Sequence, residues 1–344
     1  RPSRHDRFPG TPDDGVEIKV TVDVRPEEGR IEVDVRDNPD CMENGINLSE
    51  GCALSAPLAG IFNSIDHRVP KNEGSFRRVT VHLRDNCAVG RPLHPTSCSV
   101  ATTNLADRVA NPVQCAIADL ADGYGMAETG ACIPASSGVI SGVHKGRPYV
   151  NEVYLGCTGG AGGPHTDGWL TIMHVGNAGM CFQDSIEVDE LRHPLLVRAR
   201  RLMPDTEGAG RFRGAVSAYS EFSPLHGDMV VAYVSDGNNN PAKGARGGGT
   251  GGPSAQFRKR VDGTLEPMPG CGEIHVREGE AVVSISCGGG GYGPPSERDP
   301  ERVAHDVREG WVSRERAEAV YKVALTSELT VDAARTAALR AAGA

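Results

Sequence analysis

The chain has 344 residues and a formal net charge of −9, enough length for a sizeable core and about two domains. Its 38% hydrophobic and 24% charged residues are those of an ordinary globular protein, and the acidic balance argues against nucleic acid, which needs clustered Lys and Arg. No apolar run approaches the roughly 18 residues that span a bilayer, and 44 glycines beside 5% aromatics point to strands and tight turns.

The chain opens Arg-Pro-Ser-Arg, its first Met is Met42, and no charged-then-apolar signal peptide is visible in it. It reads as the C-terminal part of something longer. Val16–Val24 and Ile31–Arg36 alternate apolar and polar residues across Arg25–Gly29 and predict a hairpin with one wet face. Gly51–Asp66 has helical spacing, with Leu54, Leu58, Ile61 and Phe62 on one side and Pro57 in the middle. Arg77–Leu83 reads as a strand and Thr103–Leu120 as a helix broken or started near Pro112. Tyr149–Leu155 and Trp169–His174 read as strands around the glycine loop Gly159–Gly163, and Leu195–Met203 and Asp228–Val234 as two more.

Gly237–Pro253 is a long loop rich in Gly and Asn, the best candidate for a flexible or functional segment. Gly272–Val276 and Ala281–Ser286 are further strands. Asp299 can cap a helix that starts at Pro300 and ends at Gly310. Ser313 can cap the next, with Ala317, Val320, Tyr321 and Ala324 on one face, and Thr330 the last. Together these predict an α+β fold of strand-rich mixed sheets, with glycine-rich loops and a C-terminal helical cap. A division near residue 200 would separate a mixed α/β region, 1–200, from a strand-rich region with C-terminal helices, 201–344.

Ten cysteines are present without a C-x-x-C pair. That removes the zinc-ribbon, thioredoxin-like and simple iron–sulfur readings and leaves scattered reduced thiols in a cytoplasmic protein. The tract Gly288–Gly291 follows a strand, as phosphate loops do. No G-K-[ST] follows it and Pro294-Pro295 forbids an immediate helix, so close backbone packing is the favoured alternative. After Gly159–Gly163 comes Pro164-His165-Thr166-Asp167. His165 and Asp167, two apart on a loop, are the strongest local acid/base or ligand pair, against the alternative of solvated turn residues.

Cys287 and Cys157 sit beside glycines but read as buried thiols, and Ser286 lacks the G-x-S-x-G context of a hydrolase. Glu187, Asp189, Glu190 and His193 can bind a cation or form the solvated edge of a strand. Arg211 and Arg213, on one side of an extended chain, can grip a carboxylate or phosphate or be surface charge.

The blocks PKNEGSFRRVTVHLR, GRPLHPTSCSVATTNLADRV, GCTGGAGGPHTDG, EVDELRHPLLVRARRLMPDTEGAGRFRGA and CGGGGYGPPSERDPERVAHDVREGWVSRERAEAVYKVAL, in this order, resemble the B-type subunits of the hydantoinase B/oxoprolinase family over nearly the whole chain. That family includes ATP-dependent hydantoinases and oxoprolinases and the acetone and acetophenone carboxylases. The resemblance implies an A-type partner subunit that uses ATP to phosphorylate an amide or enolate oxygen. It also implies a divalent metal in the N-terminal half of the B-type subunit. That half carries an N-D-P-x-x-x-G-x-H-x-x-D motif with no match here, so the chain is expected to be the C-terminal half only. Pro294 and the Tyr321–Leu325 tail depart from the family's usual residues and leave the subfamily open.

The leading expectation is a subunit of an ATP-dependent cyclic-amide hydrolase of hydantoin or 5-oxoproline type. The alternatives are a subunit of an ATP-dependent ketone carboxylase and a non-catalytic scaffold half of such a complex. His165, Asp167 and Arg213 are the expected pocket residues.

Overall fold

The structure, a computed structural model, describes residue 11 and residues 15–98, 104–130, 133–172 and 183–342. The predicted first hairpin forms: β1 (Thr21–Arg25) pairs antiparallel with β2 (Arg30–Asp34). Gly29 turns the chain in the left-handed region at φ 60°. Helix α1 (Glu50–Ser64) and the short α2 (Glu73–Phe76) lead to β3 (Val79–His82), which joins β2 in parallel.

Helix α3 (Leu105–Leu120) runs unbroken through Pro112, as α1 does through Pro57. A mid-helix proline costs about 3 kcal/mol. Packing offsets it: Leu105, Val109, Val113 and Ile117 of α3 share one core with Ala53, Ile61 and Phe62 of α1 and with Val33 and Val35. The two helices approach so closely that a Cβ on Gly60 would stand 2.7 Å from the Ala110 carbonyl oxygen.

Next come β4 (Val139–His144), β5 (Arg147–Glu152), α4 (Ile186–Arg192) and β6 (Leu195–Leu202). They are followed by β7 (Ala218–Pro224), β8 (Met229–Val234), β9 (Ala255–Lys259), β10 (Leu265–Pro267), β11 (Cys271–Val276) and β12 (Ala281–Ile285). They build two antiparallel sheets, β10-β9-β12-β7-β6 and β11-β8-β4-β5. Ile140, Leu155, Leu195, Phe222, Met229, Val231 and Val282 fill the core that these sheets share. Residue 200 falls within β6, whose partner β7 lies beyond it. The expected α+β class holds, with helices at the C-terminus; of the sheets among the described residues, β1-β2-β3 is mixed and the other two are antiparallel.

Sequence reasoning passed over β4, β7, β9 and β10. β7 (AYSEFSP) and β4 (VISGVH) carry Ser, Glu and Gly where an alternating pattern would show apolar residues. β7 is buried on both faces because serines bond inward: Ser220 Oγ donates to the Leu155 carbonyl at 3.3 Å. The strand expected at Trp169–His174 does not form as such. Trp169 and Leu170 are irregular, Ile172 makes an isolated bridge to Thr158, and Met173 and His174 lie outside the described residues. The chain there runs beside a glycine neighbour, with the Gly160 N–H donating to the Trp169 carbonyl at 3.0 Å. The strand edge expected at Ser185–Arg198 is entered instead through α4.

The tract Gly288–Gly291 runs through the middle of a layer built almost wholly of backbone. Its four N–H groups donate to the carbonyls of Gly252, Ala215, Glu128 and Gly249, each at 2.9 Å. Its carbonyls at 289, 290 and 291 accept from Gly208, Gly162 and Ala245. None of the four glycines has a positive φ, so left-handed backbone is not what calls for glycine. Close approach is: a Cβ on Gly289 would overlap the Gly160 carbonyl oxygen, one on Gly290 that of Lys243, and one on Gly291 that of Ala209. The Gly237–Pro253 segment is part of this layer, hydrogen-bonded along the tract instead of standing free.

The helical cap lies against the layer. Asp299 caps α5 (Pro300–Arg308) by accepting from the Glu301 N–H, and Ser313 caps α6 (Arg314–Ala319) by accepting from Arg316. Val303, Val312, Ala317, Tyr321 and Val323 pack with Ala209 of the layer. At the start of α7 (Ala333–Ala342) the accepting side chain is Asp332, which takes the Arg335 N–H at 3.0 Å; the expected cap Thr330 bonds Thr326 instead. Among the described residues no helix is long and apolar enough to cross a membrane.

Candidate functional site

Three sizeable cavities stand out among the described residues. One of about 1000 Å³ is lined by Lys19, Asp34, Asp119 and Lys243, and one of about 710 Å³ by Arg108, Asp236 and Glu128. In the second, Arg108 and Asp236 already pair at 2.7 Å. The third, about 890 Å³, holds both His165 and Asp167 and is the candidate site.

Its walls come from the C-terminal end of α1 with the residues just beyond it (Asn63–Arg68), Gln114 on α3, the turn Gly123–Met126, the loop Gly160–Trp169, and Thr129 and Ile172. The edge of the glycine layer therefore forms one wall and the α1–α3 pair another. Gly125 lets the turn press on α3, because a Cβ there would overlap the Ala118 backbone. The Gly163 N–H donates to the Thr166 carbonyl at 2.9 Å and closes the tight turn that carries His165. His165 is exposed, and Trp169, 70% exposed, marks the rim.

Asp167 is engaged on both oxygens. Arg298 donates to it twice, Nη1 to Oδ1 at 2.7 Å and Nη2 to Oδ2 at 2.9 Å. Arg302 Nη2 reaches Oδ2 at 2.9 Å, and the backbone N–H of Arg213 reaches Oδ1 at 2.9 Å. Burial pushes the Asp167 carboxyl up, but the hydrogen bonds and charge of Arg298, helped by Arg213 and Arg302, outweigh it and hold the group below its ordinary value.

Arg298 in turn donates to Asp306 at 2.7 Å, and Arg213 pairs with Asp306 at 3.1 Å while lying over the Trp311 ring. Arg298, Asp306 and Arg213 are almost completely buried. Asp167 and Arg213 thus belong to one internal ion network that ties the cavity wall to α5. His165 is not part of that network, so the structure brings two of the three expected residues together and leaves the third at the rim. Arg211 is separate, paired with Asp122 at 2.6 Å and with Glu297.

Gln114 is completely buried, and neither its Oε1 nor its Nε2 has a hydrogen-bond partner among the described residues. Sequence reasoning missed it, since a glutamine in a helix carries no sign of whether its amide is satisfied. Arg298 and Asp306 were missed as well; their separation of eight residues across a helix cap gives no pattern.

Cys287, Cys157 and Ser286 are buried, and Ser286 Oγ accepts from the Ala218 N–H at 2.8 Å. Among the described residues no two cysteines are joined by a disulfide. In the 185–198 segment Glu190 accepts from the Val197 N–H at 2.8 Å. Burial, and then the neighbouring Asp184, push the Asp189 carboxyl up to about 6.

No group of three or more His, Cys, Asp or Glu among the described residues could hold a metal ion. The glycine tract does not fit a phosphate either, because each of its N–H groups already has a carbonyl partner.

Residues 3–295 match the family model described as hydantoinase B/oxoprolinase. The chain is 29% identical over 334 residues to the caprolactamase subunit beta of Pseudomonas jessenii, covering 94% of this chain and 56% of that one. It is 38% identical over 87 residues to the acetophenone carboxylase delta subunit of Aromatoleum aromaticum, 24% of this chain and 13% of that one. The crystal structure of the ATP-dependent caprolactamase from Pseudomonas jessenii shares the fold, with a TM-score of 0.78 at 24% identity over 95% of this chain and 57% of that one. The chain spans little more than half the length of this caprolactamase relative, and along that span it belongs to the hydantoinase B/oxoprolinase family.

Proposed function

We propose that the chain is the C-terminal half of a B-type subunit of an ATP-dependent cyclic-amide hydrolase. In this reading it acts in the cytoplasm beside an A-type subunit that uses ATP and beside the N-terminal half of its own subunit. The observation that carries it is the alignment along 94% of the chain with a caprolactamase subunit beta.

The chemistry suits a division of labour. An amide is resonance-stabilised, so opening its ring needs activation, which ATP supplies in the partner. The N–H groups of the glycine tract are already taken, and this chain's part is to bind and orient. The cavity offers Met126, Ile172 and Trp169 to ring methylenes. Asp167 and Arg213 act as positioning residues by fixing the 163–169 wall to Arg298 and α5. His165 stands at the rim, where histidine is the side chain suited to exchange a proton with product or solvent.

A second reading, a ketone carboxylase subunit, is favoured by the 87-residue match to an acetophenone carboxylase subunit. The natively purified complex decides between them when given ATP, a panel of lactams and hydantoins, and in parallel ketones with labelled bicarbonate. ATP-dependent ring opening without acid-stable label is the expected result. Label fixed into a ketone product overturns it in favour of the carboxylase. Ring opening by the other chains alone would leave this one a scaffold.

A further inference from the structure

We infer that Gln114 is the residue that reads the substrate's amide, and that it selects a cis amide carrying its own N–H. The inference rests on the cyclic-amide reading above and specifies how the cavity would recognise that class.

Helix α3 shows an imbalance. Two polar residues near Gln114 satisfy each other: Thr129 donates its N–H (3.1 Å) and Oγ1 (3.2 Å) to Asn111 Oδ1, and Asn111 Nδ2 donates back to the Thr129 carbonyl at 3.3 Å. Gln114, on the same helix as Asn111 and equally buried, has neither donor nor acceptor engaged among the described residues. A buried carboxamide is normally hydrogen-bonded, and leaving it bare is unfavourable. Here the residue belongs to the wall of a cavity of about 890 Å³ but is covered from it in this structure, so a ligand that displaces the cover can complete it.

The shape of the carboxamide then limits the ligand. Its C=O and one N–H lie side by side and point the same way. The partner that fills both presents an N–H and a C=O on one edge. In a lactam or hydantoin ring the amide is forced cis, so its N–H and C=O share an edge and close a pair of antiparallel hydrogen bonds. A linear amide is trans and shows the two groups on opposite edges, while a ketone offers only an acceptor. Apolar walls at Ile65, Met126 and Ile172 suit the rest of a small ring.

The test uses the native complex with the full-length subunit, as wild type, Gln114→Met and Gln114→Glu. Met keeps length and volume but cannot hydrogen-bond; Glu keeps shape and loses the paired amide donor. The readouts are calorimetric binding of 2-piperidone and of N-methyl-2-piperidone without ATP, the KM for each lactam, and the KM for ATP. Wild type should favour the N–H lactam. Gln114→Met should weaken 2-piperidone about 10- to 100-fold and abolish the preference over the N-methyl ring, since a site built to hydrogen-bond a group discriminates strongly for it. The KM for ATP should not move.

Should Gln114→Met fail to fold, Gln114→Glu is read instead: its carboxylate still accepts the lactam N–H but cannot donate to the lactam carbonyl, so 2-piperidone binding should weaken while the N–H preference stays. Lactam binding that depends on Gln114 in a complex that opens no ring would sustain this inference while removing the hydrolase reading. Ring opening with unchanged lactam KM in both variants, and with the N–H preference intact in Gln114→Met, would overturn the inference and leave the hydrolase reading standing. Absence of 2-piperidone binding to wild type would also overturn it.

Discussion

The glycine layer and the C-terminal helical cap lie against each other and are held by opposite means. In the layer, backbone packs on backbone. Gly288–Gly291 give every N–H to a neighbouring carbonyl and leave no room for a single Cβ. In the cap, side chains do the holding: an apolar cluster around Val303 and Tyr321, and two buried ion sets, Arg298–Asp306–Asp167 and Arg316–Glu207–Tyr321. A saturated backbone has no groups left for a ligand, so chemistry moves to the edge of the layer, where the Gly160–Trp169 loop meets α3. The cap's buried charges then fix that loop in place.

The largest effect is expected where the layer admits nothing. In Gly289→Ala the new methyl meets the Gly160 carbonyl carbon and oxygen, both backbone, and the cost should exceed about 4 kcal/mol, read as loss of folded protein or a collapsed urea midpoint. Gly227→Ala, at φ 76° with open space around it, should cost only about 1 kcal/mol. Equal tolerance at both positions would break the contrast.

Arg298→Leu attacks the cap's own device. It removes the cation that Asp167 and Asp306 share, leaving Arg302 on the first and Arg213 on the second, and should cost about 3 kcal/mol by chemical denaturation. Adding Asp306→Leu should deepen the loss, because the buried Arg213 then loses its carboxylate as well, a dependence on charge that has no counterpart in the glycine layer.

Two carboxylates, the half-buried Asp167 and the buried Glu207, sharpen the comparison by pH. Arg298 and its neighbours hold the folded pKa of Asp167 down, so its contribution is present above the unfolded carboxylate pKa and disappears as pH falls through the folded one. Asp167→Asn should lose stability at neutral pH, and its acid limb should flatten. Glu207 has the opposite sign: burial raises its pKa, and Arg316 and Tyr321 only partly offset this. Its contribution is present below the unfolded pKa and lost as pH rises through the folded one. Relative to wild type, Glu207→Gln should therefore gain stability as pH rises. Urea midpoints across the acid range check both signs. The smallest effect is local: Ser313→Ala removes the α6 cap and should cost about 1 kcal/mol.

Legibility in the sequence divides along the same line. The cap's starts at Asp299 and Ser313 were legible because capping is a property of adjacent residues. The first hairpin and β3, β6, β8 and β12 were legible from apolar runs or alternation. β7 was not, because its buried serines and glutamate are satisfied by distant partners such as Leu155 and Lys259. The crowding at Gly288–Gly291 was readable as close packing, but not which segments crowd it. In the site, His165 and Asp167 announced themselves by their loop, yet Asp167's arginines come from about 130 residues further along the chain. No local pattern shows that pairing, and none shows that Gln114 lacks a partner.

The central claim is that the cavity at the edge of the glycine layer is where the cyclic amide sits. The most direct measurement is a crystal structure of the native complex with 2-piperidone bound. The predicted result is ring density between Trp169 and Gln114, with the amide edge toward the Gln114 carboxamide. Well-defined lactam density elsewhere in the complex, with this cavity holding only water, would contradict it.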